Sequence, residues 1–333
     1  MLKRFLSITF LLILVAAAAA AQASKSTVKL ATLAPRGSSF HQILMELGQQ
    51  WRQSGVELTI YTDGTQGTES QMVSRMKLGQ LHAGLLTASG LAEIDQSTEA
   101  LQSMPMMFRS LDEVDYVRAN LRHEIEQRLD DKGFVILFWA DAGWVRFFSR
   151  DPVVRPDDLK KTRLYATTGD NQSIDIMKAA GLQPIPLAPS DILTGLQTGL
   201  INAVPTVPTI ALSGQFYGKA KNMLEINWAP LVGGLVITRK AWDKFPAETQ
   251  LALVKAARGA GEKMKARIRA ENDQAVSTMV KRGLVVHNMT PQVEAEWVSV
   301  AESAYPKIRG PIVPAKFFDE VKRLLAQYRA QKK

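Results

Sequence analysis

The sequence predicts an α/β fold of two lobes that are joined by crossing strands, with one long helix that spans both lobes. Three observations lead to this prediction. Short β-rich segments alternate with helical patterns, a chain of 333 residues exceeds the usual size of a single hydrophobic core, and a helix–glycine–strand unit occurs twice.

The alternation is clearest in the first half of the chain. Strands are predicted at residues 28–33, 57–62 and 82–87, with helices at 39–52 and 69–78. Gly79 follows the second helix, where glycine can adopt the left-handed conformation that closes a helix. The same unit recurs around Gly199, between a helix that starts near Ser190 and a strand at residues 200–204. Two turns of this kind often resemble each other by chance. The expectation of two lobes adds support to the interpretation that the unit is duplicated.

Two segments are suited to cross between the lobes. Residues 134–149 form a long run of aromatic and branched side chains, in which Gly143 would allow a bulge or a bend. Residues 231–237 contain two adjacent glycines, which mark flexible backbone or close approach.

A long helix is predicted between Pro246 and Lys281. Apolar residues recur there every three or four positions, with one gap at Asn272, and indicate a helix of about 33 residues. Its length of roughly 50 Å is greater than one lobe. Gly259 and Gly261 lie inside it and predict close packing or a bend.

The N-terminal segment has the features of a secretory signal peptide. Lys3 and Arg4 precede an apolar run, and Ala-Gln-Ala ending at Ala23 fits a cleavage site. A transmembrane helix, the alternative, would need about 20 apolar residues. Removal of these 23 residues would leave 310 of the 333 and lower the formal charge from +9 to +7. The expected location is the periplasm, with full secretion as the alternative, and a cysteine-free chain has neither disulfides nor a cysteine-linked lipid anchor.

These features predict a division of the chain into five segments. They are a signal peptide at 1–23, the first part of lobe I at 24–142, lobe II at 143–231, the second part of lobe I at 232–260, and the long helix with C-terminal helices packing on lobe II at 261–333.

Composition and motifs argue against several functions. The 41 basic residues are interleaved with 32 acids, which is typical of solvated helix faces and not of a nucleic-acid surface. The four histidines have no partner at metal-ligand spacing, and neither a nucleophile elbow nor a phosphate loop occurs. No cofactor, metal or catalytic residue is predicted, and no later apolar run is long enough to embed the mature chain in a membrane. A ligand-binding protein is the simplest reading of such a two-lobe chain.

Several stretches resemble, in order and spacing, the substrate-binding proteins of tripartite ATP-independent periplasmic (TRAP) transporters of the DctP type. The resemblance extends over essentially the whole mature chain. The matching stretches are Ala34-Pro35, Ser38-Ser39-Phe40-His41, Gly67-x-Glu69, and residues 78–83, 155–160, 196–202 and 237–242.

This resemblance implies a periplasmic binding protein-like fold with a ligand held in the cleft between the lobes. It also implies delivery of that ligand to a TRAP permease of small and large membrane subunits, driven by an ion gradient and not by ATP. Most relatives bind small organic acids through an arginine in a Leu-Lys-Gly-x-Lys-x-Arg pattern.

The chain departs from that family pattern. Arg163 falls at the lysine position and Tyr165 at the arginine position. Arg146 matches a second family arginine only after a one-residue slip, which turns a strand side chain to the opposite face unless a bulge at Gly143 resets the register. Thr206 stands where relatives place an asparagine. The chain is therefore interpreted as a divergent member that lacks the usual carboxylate-binding arginine.

Aromatic and small polar residues would then form the pocket. Core packing is the alternative for the tryptophans, helix capping for the polar residues, and a solvated position for Arg163. The predicted ligand-binding residues are Phe40, Glu69, Thr87, Ser89, Trp144, Arg146, Tyr165, Thr206, Asn227 and Trp228.

The expected function is that of a periplasmic receptor for a small organic molecule, either an organic acid or a less charged compound with an aromatic or apolar part. Two alternatives remain: an exported enzyme that kept the two-lobe fold, and a receptor that feeds a membrane sensor.

Overall fold

The computed structural model describes residues 26–332, except for the side chains of Asn171, Gln172, Ile176 and Ala179. The predicted signal peptide and its cleavage site lie outside the described residues. Within the described range the chain has the α/β architecture that the sequence predicts.

Strands occur throughout the chain. They are β1 (Ser26–Thr32), β2 (Val56–Tyr61), β3 (Ala83–Thr87), β4 (Phe134–Ser149), β5 (Arg163–Thr167), β6 (Gln183–Leu187), β7 (Ala203–Thr206), β8 (Asn222–Thr238) and β9 (Val285–Asn288).

Helices connect these strands. They are α1 (Ser39–Gln53), α2 (Glu69–Lys77), α3 (Ala88–Ala92), α4 (Leu111–Asp131), α5 (Pro156–Lys160), α6 (Asn171–Ala179), α7 (Ile192–Thr198), α8 (Pro208–Ser213), α9 (Arg239–Trp242), α10 (Ala247–Lys281), α11 (Pro291–Ile308) and α12 (Ala315–Gln331).

The sheet is nearly symmetric about its central pair, with the order β2-β1-β3-β8-β4-β7-β5-β6 and β9 beside β8. In lobe I, β1 pairs in parallel with β2 and β3, and β3 pairs antiparallel with β8. In lobe II, β5 pairs in parallel with β6 and β7, and β7 pairs antiparallel with β4. Gly79 before β3 and Gly199 before β7 have left-handed φ angles of 76° and 77°. The repeated helix–glycine–strand unit therefore occupies equivalent places in the two lobes.

The antiparallel strands β4 and β8 cross from lobe to lobe, and we call the part of this crossing around Asp141 to Trp144 the hinge. Their pairing shifts register between Asp141 and Trp144. Gly143 lies in this shift with φ 86°, and a Cβ there would lie 2.6 Å from Nδ2 of Asn272. Glycine is needed because another residue would be strained and would collide with that side chain. The bulge considered at Gly143 is thus present.

Helix α10 spans both lobes over 35 residues and confirms the predicted long helix. Its first half buries Leu253 in the lobe I core, whereas its last turns bury Met279 in the lobe II core. Asn272, the gap in the apolar pattern, is buried and donates a hydrogen bond of 2.7 Å from Nδ2 to the carbonyl oxygen of Ala142. The interruption in the sequence pattern is therefore the residue that fastens the helix to the hinge.

The two glycines inside α10 have different surroundings. A Cβ on Gly261 would lie 2.7 Å from Cβ of Phe138, so this glycine packs closely as expected. Nothing lies within 4 Å of the same position on Gly259, which is exposed. Only one of the two glycines therefore serves close packing.

The C-terminal helices differ from the predicted division. Helix α11 places Trp297 in a lobe II cluster, but α12 packs on lobe I, where Phe317 shares a core with Val117 of α4. The physical reason is that α4 has an apolar face which α12 covers. The predicted boundary between residues 260 and 261 also falls inside the continuous helix α10.

None of the helices in residues 26–332 combines the length and apolar composition that crossing a bilayer requires.

Candidate functional site

A cavity of about 520 Å³ lies between the lobes, and we call it the interlobe cavity. Its volume is in the range typical of small-molecule sites. Lobe I contributes a polar wall, lobe II contributes the end of β5 and the start of α6, and one face of α11 forms a third wall. Residues that line it include Ser89, Gln102, Ser103, Val145, Lys160, Tyr165, Ala166, Thr167, Asp170, Ser173, Ile174, Met177, Pro205, Trp228, Trp297, Val300, Ala304, Lys307 and Ile308.

The polar wall of lobe I is built where β3 turns into α3. Thr87 ends the strand, and its Oγ1 caps α3 by accepting a hydrogen bond from N of Gly90 (3.1 Å). Ser89 in the first turn accepts a hydrogen bond from Nε2 of Gln102 (3.3 Å) and donates one to Oε2 of Glu99 (3.3 Å). The hydroxyl of Ser103 donates to the same carboxylate oxygen.

Glu99 is the buried acid behind this wall, with 9% of its surface exposed. Burial raises the pKa of Glu99 to about 7, and the charges of Asp170 and Glu69 act in the same direction. Near neutral pH, small changes in its surroundings therefore change its charge.

Glu69 and Thr87 bind each other beside this wall. The Glu69 carboxylate accepts hydrogen bonds of 2.6 Å from both N and Oγ1 of Thr87. Burial raises the pKa of Glu69. A Cβ on Gly90 would lie 2.6 Å from Cδ of Glu69, so glycine at that position leaves room for the carboxylate. The pair thus joins α2 to the end of β3, next to Ser89.

Lobe II contributes the C-terminal end of β5, where three consecutive residues line the cavity. The hydroxyl of Tyr165 lies 3.2 Å from Oγ1 of Thr167, and burial raises the pKa of Tyr165. Asp170 follows the strand and accepts a hydrogen bond from N of Ser173 (3.1 Å) at the start of α6. Asp170 therefore caps the helix while also lining the interlobe cavity.

An aromatic cluster forms another part of the cavity wall. The ring centroid of Trp228 lies 5.4 Å from that of Phe147 and 5.7 Å from that of Trp297. Nε1 of Trp297 donates a hydrogen bond of 2.8 Å to the carbonyl oxygen of Val154. Trp228 is half-buried, so core packing and lining of the cavity, which the sequence posed as alternatives, both apply.

Arg146 and Asn227 face a different space. Both line an open groove of about 1270 Å³ between β4, β8 and the other face of α11. Nη1 of Arg146 lies 3.1 Å from Oε1 of Glu225. Their strand neighbours Val145 and Trp228 line the interlobe cavity, because successive side chains on a strand point to opposite faces. The bulge at Gly143 thus does not bring Arg146 into the interlobe cavity.

The predicted residues Glu69 and Thr87 line neither space, and the remaining three predicted residues do not line them either. Phe40 packs on the lobe I core, Trp144 packs on the core shared with α12, and Thr206 is buried in the β7 ladder opposite Arg146. Arg163 is exposed and donates from Nε to the carbonyl oxygen of Gly199 (3.0 Å). The guanidinium therefore hydrogen-bonds a carbonyl at the C-terminal end of α7 and stays outside the cavity, in agreement with the alternative that Arg163 is solvated.

Sequence reasoning missed the contribution of α11 and the residues Gln102, Ser103 and Asp170. Val300, Ala304 and Ile308 of α11 lie more than a hundred residues beyond β5, and no motif marks them. The sequence did contain a signal for Asp170. It follows a predicted strand and stands directly before a helical pattern, which is the position of a helix-capping acid.

Three of the four histidines have structural hydrogen bonds, and His123 is exposed on α4. Nδ1 of His41 accepts from N of Gly37, Nδ1 of His82 accepts from N of Lys29, and Nε2 of His287 pairs with Asn222. Among residues 26–332, no group of three or more His, Cys, Asp or Glu side chains is arranged to hold a metal ion.

Comparison with known proteins gives the family of this chain. The family model described as DctP, bacterial extracellular solute-binding protein, family 7, matches residues 30–310. The 2,3-diketo-L-gulonate-binding periplasmic protein YiaO of Escherichia coli K12 is 24% identical over 245 residues, which are 72% of this chain and 74% of that protein. The C4-dicarboxylate-binding periplasmic protein DctP of Rhodobacter capsulatus is 20% identical over 257 residues and 77% of each chain.

Solved structures have the same fold. A TRAP periplasmic solute-binding protein of Xanthobacter autotrophicus Py2 with bound β-D-galacturonate has a TM-score of 0.81 at 19% identity, over 90% of this chain and 99% of that one. A protein of the same type from Ralstonia eutropha H16 with bound (S)-2-acetolactate has a TM-score of 0.84 at 16% identity, over 91% and 99%. These matches agree with the two lobes and with the family model, which describes solute receptors and not enzymes. The chain therefore belongs to bacterial extracellular solute-binding protein family 7, the DctP-type substrate-binding proteins of TRAP transporters.

Proposed function

We propose that this protein is a periplasmic receptor that binds a small organic molecule in the interlobe cavity and delivers it to a TRAP permease of small and large membrane subunits, without catalysing a reaction. The observation that carries this proposal is the cavity of about 520 Å³ with walls from both lobes. A ligand that touches both walls would favour the closed arrangement of the lobes.

Five residues are proposed to contact the ligand. Ser89, Tyr165 and Trp228 come from the sequence prediction, and Thr167 and Asp170 from the geometry of the interlobe cavity. They combine hydroxyl groups, one carboxylate and an aromatic face, which is the usual composition of a small-molecule site. Organic acids are the first compounds to test, because the relatives and solved structures above are named for such ligands.

Export is part of the proposal. Cleavage after Ala23 would leave Ser24 as the first residue of the mature protein. N-terminal sequencing of the protein from a periplasmic fraction tests this step. A mature chain that still begins with Met1, or that stays in the membrane fraction, would contradict it.

Ligand binding can be tested with two matched serine substitutions. Ser173→Trp would fill the interlobe cavity, whereas Ser190→Trp places the same side chain at an exposed position. Compounds that copurify with the wild-type protein are identified by mass spectrometry and then titrated in a thermal-shift assay. We expect the stabilisation to persist in Ser190→Trp and to disappear in Ser173→Trp, and equal binding by both variants would place the ligand elsewhere.

Delivery to a permease requires a test in cells. Uptake of the identified ligand is measured in cells that contain the receptor and the two membrane subunits of a TRAP permease from the same organism, and again without either component. Uptake should need both, and ligand turnover by the purified receptor alone would favour the alternative of an exported enzyme.

A further inference from the structure

Resting on the function proposed above, we infer that the interlobe cavity selects a ligand with a protonated amine on an apolar body, either a simple amine or an amino acid, and does not recognise its ligand through a carboxylate alone. The site itself is defined by the cavity between the lobes. The charged side chains around this cavity indicate which class of ligand it binds.

The carboxylates at the cavity come from both lobes. Asp170 lines it from lobe II, and Glu99 lies behind Ser89 and Ser103, which line it from lobe I. Glu69 lies beside them through its bonds to Thr87. Within residues 26–332, no lysine or arginine forms an ion pair with any of these three acids. These three acids therefore lie near one end of the cavity, and none of them has an ion-pair partner among the described residues.

The walls of the cavity contain lysine but no arginine in the described part of the chain. No arginine among the described residues lines the interlobe cavity, and Tyr165 takes the strand position where the family resemblance expects one. The lining lysines are Lys160 and Lys307. Lys160 is half-exposed and pairs with Asp157 at 2.8 Å. A bidentate clamp for a carboxylate cannot be built from these groups.

An ammonium group fits the acidic end. It carries three donors and no acceptor, and the partners that line the cavity are the hydroxyl oxygens of Ser89 and Ser103 and the carboxylate of Asp170. Both serine hydroxyls donate their protons to Glu99 behind them, which leaves their oxygens free to accept. Burial and the neighbouring acids raise the pKa of Glu99, so a cation placed here would relieve an unfavourable arrangement. The hydrogen bonds formed would be charge-assisted, which are the stronger kind.

Much of the remaining wall is apolar. Ile174 and Met177 of α6, Trp228 of β8, and Val300 and Ala304 of α11 contribute to it. These side chains suit a hydrocarbon or aromatic skeleton. The two ends of the cavity thus describe one class of ligand, a cationic head on an apolar body.

The test uses three skeletons, pentyl, cyclohexyl and phenylethyl, each as the amine, the amino acid, the carboxylate and the alcohol. Succinate and D-galacturonate complete the set. Binding to ligand-stripped mature protein is measured by isothermal titration calorimetry at pH 8. We expect amines and amino acids to bind at least roughly tenfold more tightly than the matching carboxylates and alcohols.

Isosteric variants locate the preference. Glu99→Gln keeps an oxygen for the serine hydroxyls, and Asp170→Asn keeps an oxygen that caps α6. Each should weaken amine binding by roughly tenfold. Glu294→Gln, on the open groove, and Arg163→Ala, on the exposed end of β5, should not change it.

Each outcome decides the inference. Carboxylates that bind as tightly as amines, or amine binding that is unchanged in both acid variants, would overturn the inference. The proposed receptor function would still stand if Ser173→Trp abolished that carboxylate binding. If no compound binds, succinate and D-galacturonate included, both the inference and the proposed function fail.

Discussion

The hinge and the interlobe cavity both contain acidic side chains, but the hydrogen-bond partners of those side chains differ. At the hinge, the side chain of Asp141 has 0% exposure and accepts hydrogen bonds from Nε (3.0 Å) and Nη2 (2.7 Å) of Arg269 in α10. The same guanidinium binds Asp115 through Nη1 and Nη2, both at 3.0 Å. At the cavity, Glu99 and Asp170 receive hydrogen bonds only from hydroxyl and backbone groups in the described part of the chain.

This difference separates structural charge from functional charge. A buried carboxylate with a matched guanidinium holds two elements in one geometry, here β4 and the long helix. A buried carboxylate without such a partner destabilises the empty protein and is suited to a ligand that supplies the missing cation. Three substitutions test the comparison, in order of the effect expected.

Asp141→Asn should have the largest effect on stability. The substitution leaves the partly buried Arg269 with one carboxylate where it had two, and breaking a buried pair typically costs about 3–5 kcal/mol. Urea denaturation measures the loss. Asp157→Asn, which removes an exposed pair with Lys160, is the control and should leave the unfolding midpoint unchanged. Equal unfolding midpoints for the two variants would contradict the structural role given to the Asp141–Arg269 pair.

Glu99→Gln should change how stability depends on pH. The pKa of Glu99 in the folded protein is about 7, above the ordinary 4.5, so the unfolded chain releases this proton first as pH rises. Its contribution to stability is complete below pH 4.5 and is lost as pH rises through 7, a change of about 3 kcal/mol.

Urea denaturation at several pH values between 4 and 8.5 measures this dependence. The glutamine variant should lose less stability over that range than the wild type. Glu294→Gln serves as the matched control, since that acid lies on the open groove, and should keep the wild-type profile. Parallel profiles for wild type and Glu99→Gln would mean that Glu99 is charged throughout and that the cavity tolerates it.

Gly143→Ala should have a smaller but clear effect. Its φ of 86° and the Asn272 side chain 2.6 Å from the added Cβ predict a loss of about 1–3 kcal/mol in the free energy of unfolding. Gly259→Ala, in an exposed and open position of α10, should instead raise stability by about 0.5–1 kcal/mol. Opposite signs are the expected result in thermal or urea unfolding. A loss of the same size in both variants would show that the bulge at Gly143 does not require glycine more than the exposed helix position does.

The sequence predicted the frame of the fold well. The long helix, the glycine closures at Gly79 and Gly199, and the bulge at Gly143 all follow from local rules of periodicity and backbone conformation. The packing of α12 on lobe I was not predicted. The apolar faces of α4 and α12 indicate that each helix packs against another element, but they do not identify that element.

The site was less predictable, and strand geometry explains the difference. Arg146 and Trp228 are adjacent to residues of opposite orientation, so a shift of one position decides whether a side chain lines the interlobe cavity or the open groove. Glu99 carries no local signal at all, since its burial and raised pKa arise from α3 and from residues of both lobes.

By itself, the sequence determined the family and the two-lobe α/β frame, because periodicity, glycine positions and motif spacing are local properties of the chain. Only the tertiary structure decided which side chains line the interlobe cavity and which acids lack a cation. Those properties depend on residues such as Ser89, Asp170 and Val300, which lie far apart in the chain and meet only when the lobes and α11 pack together.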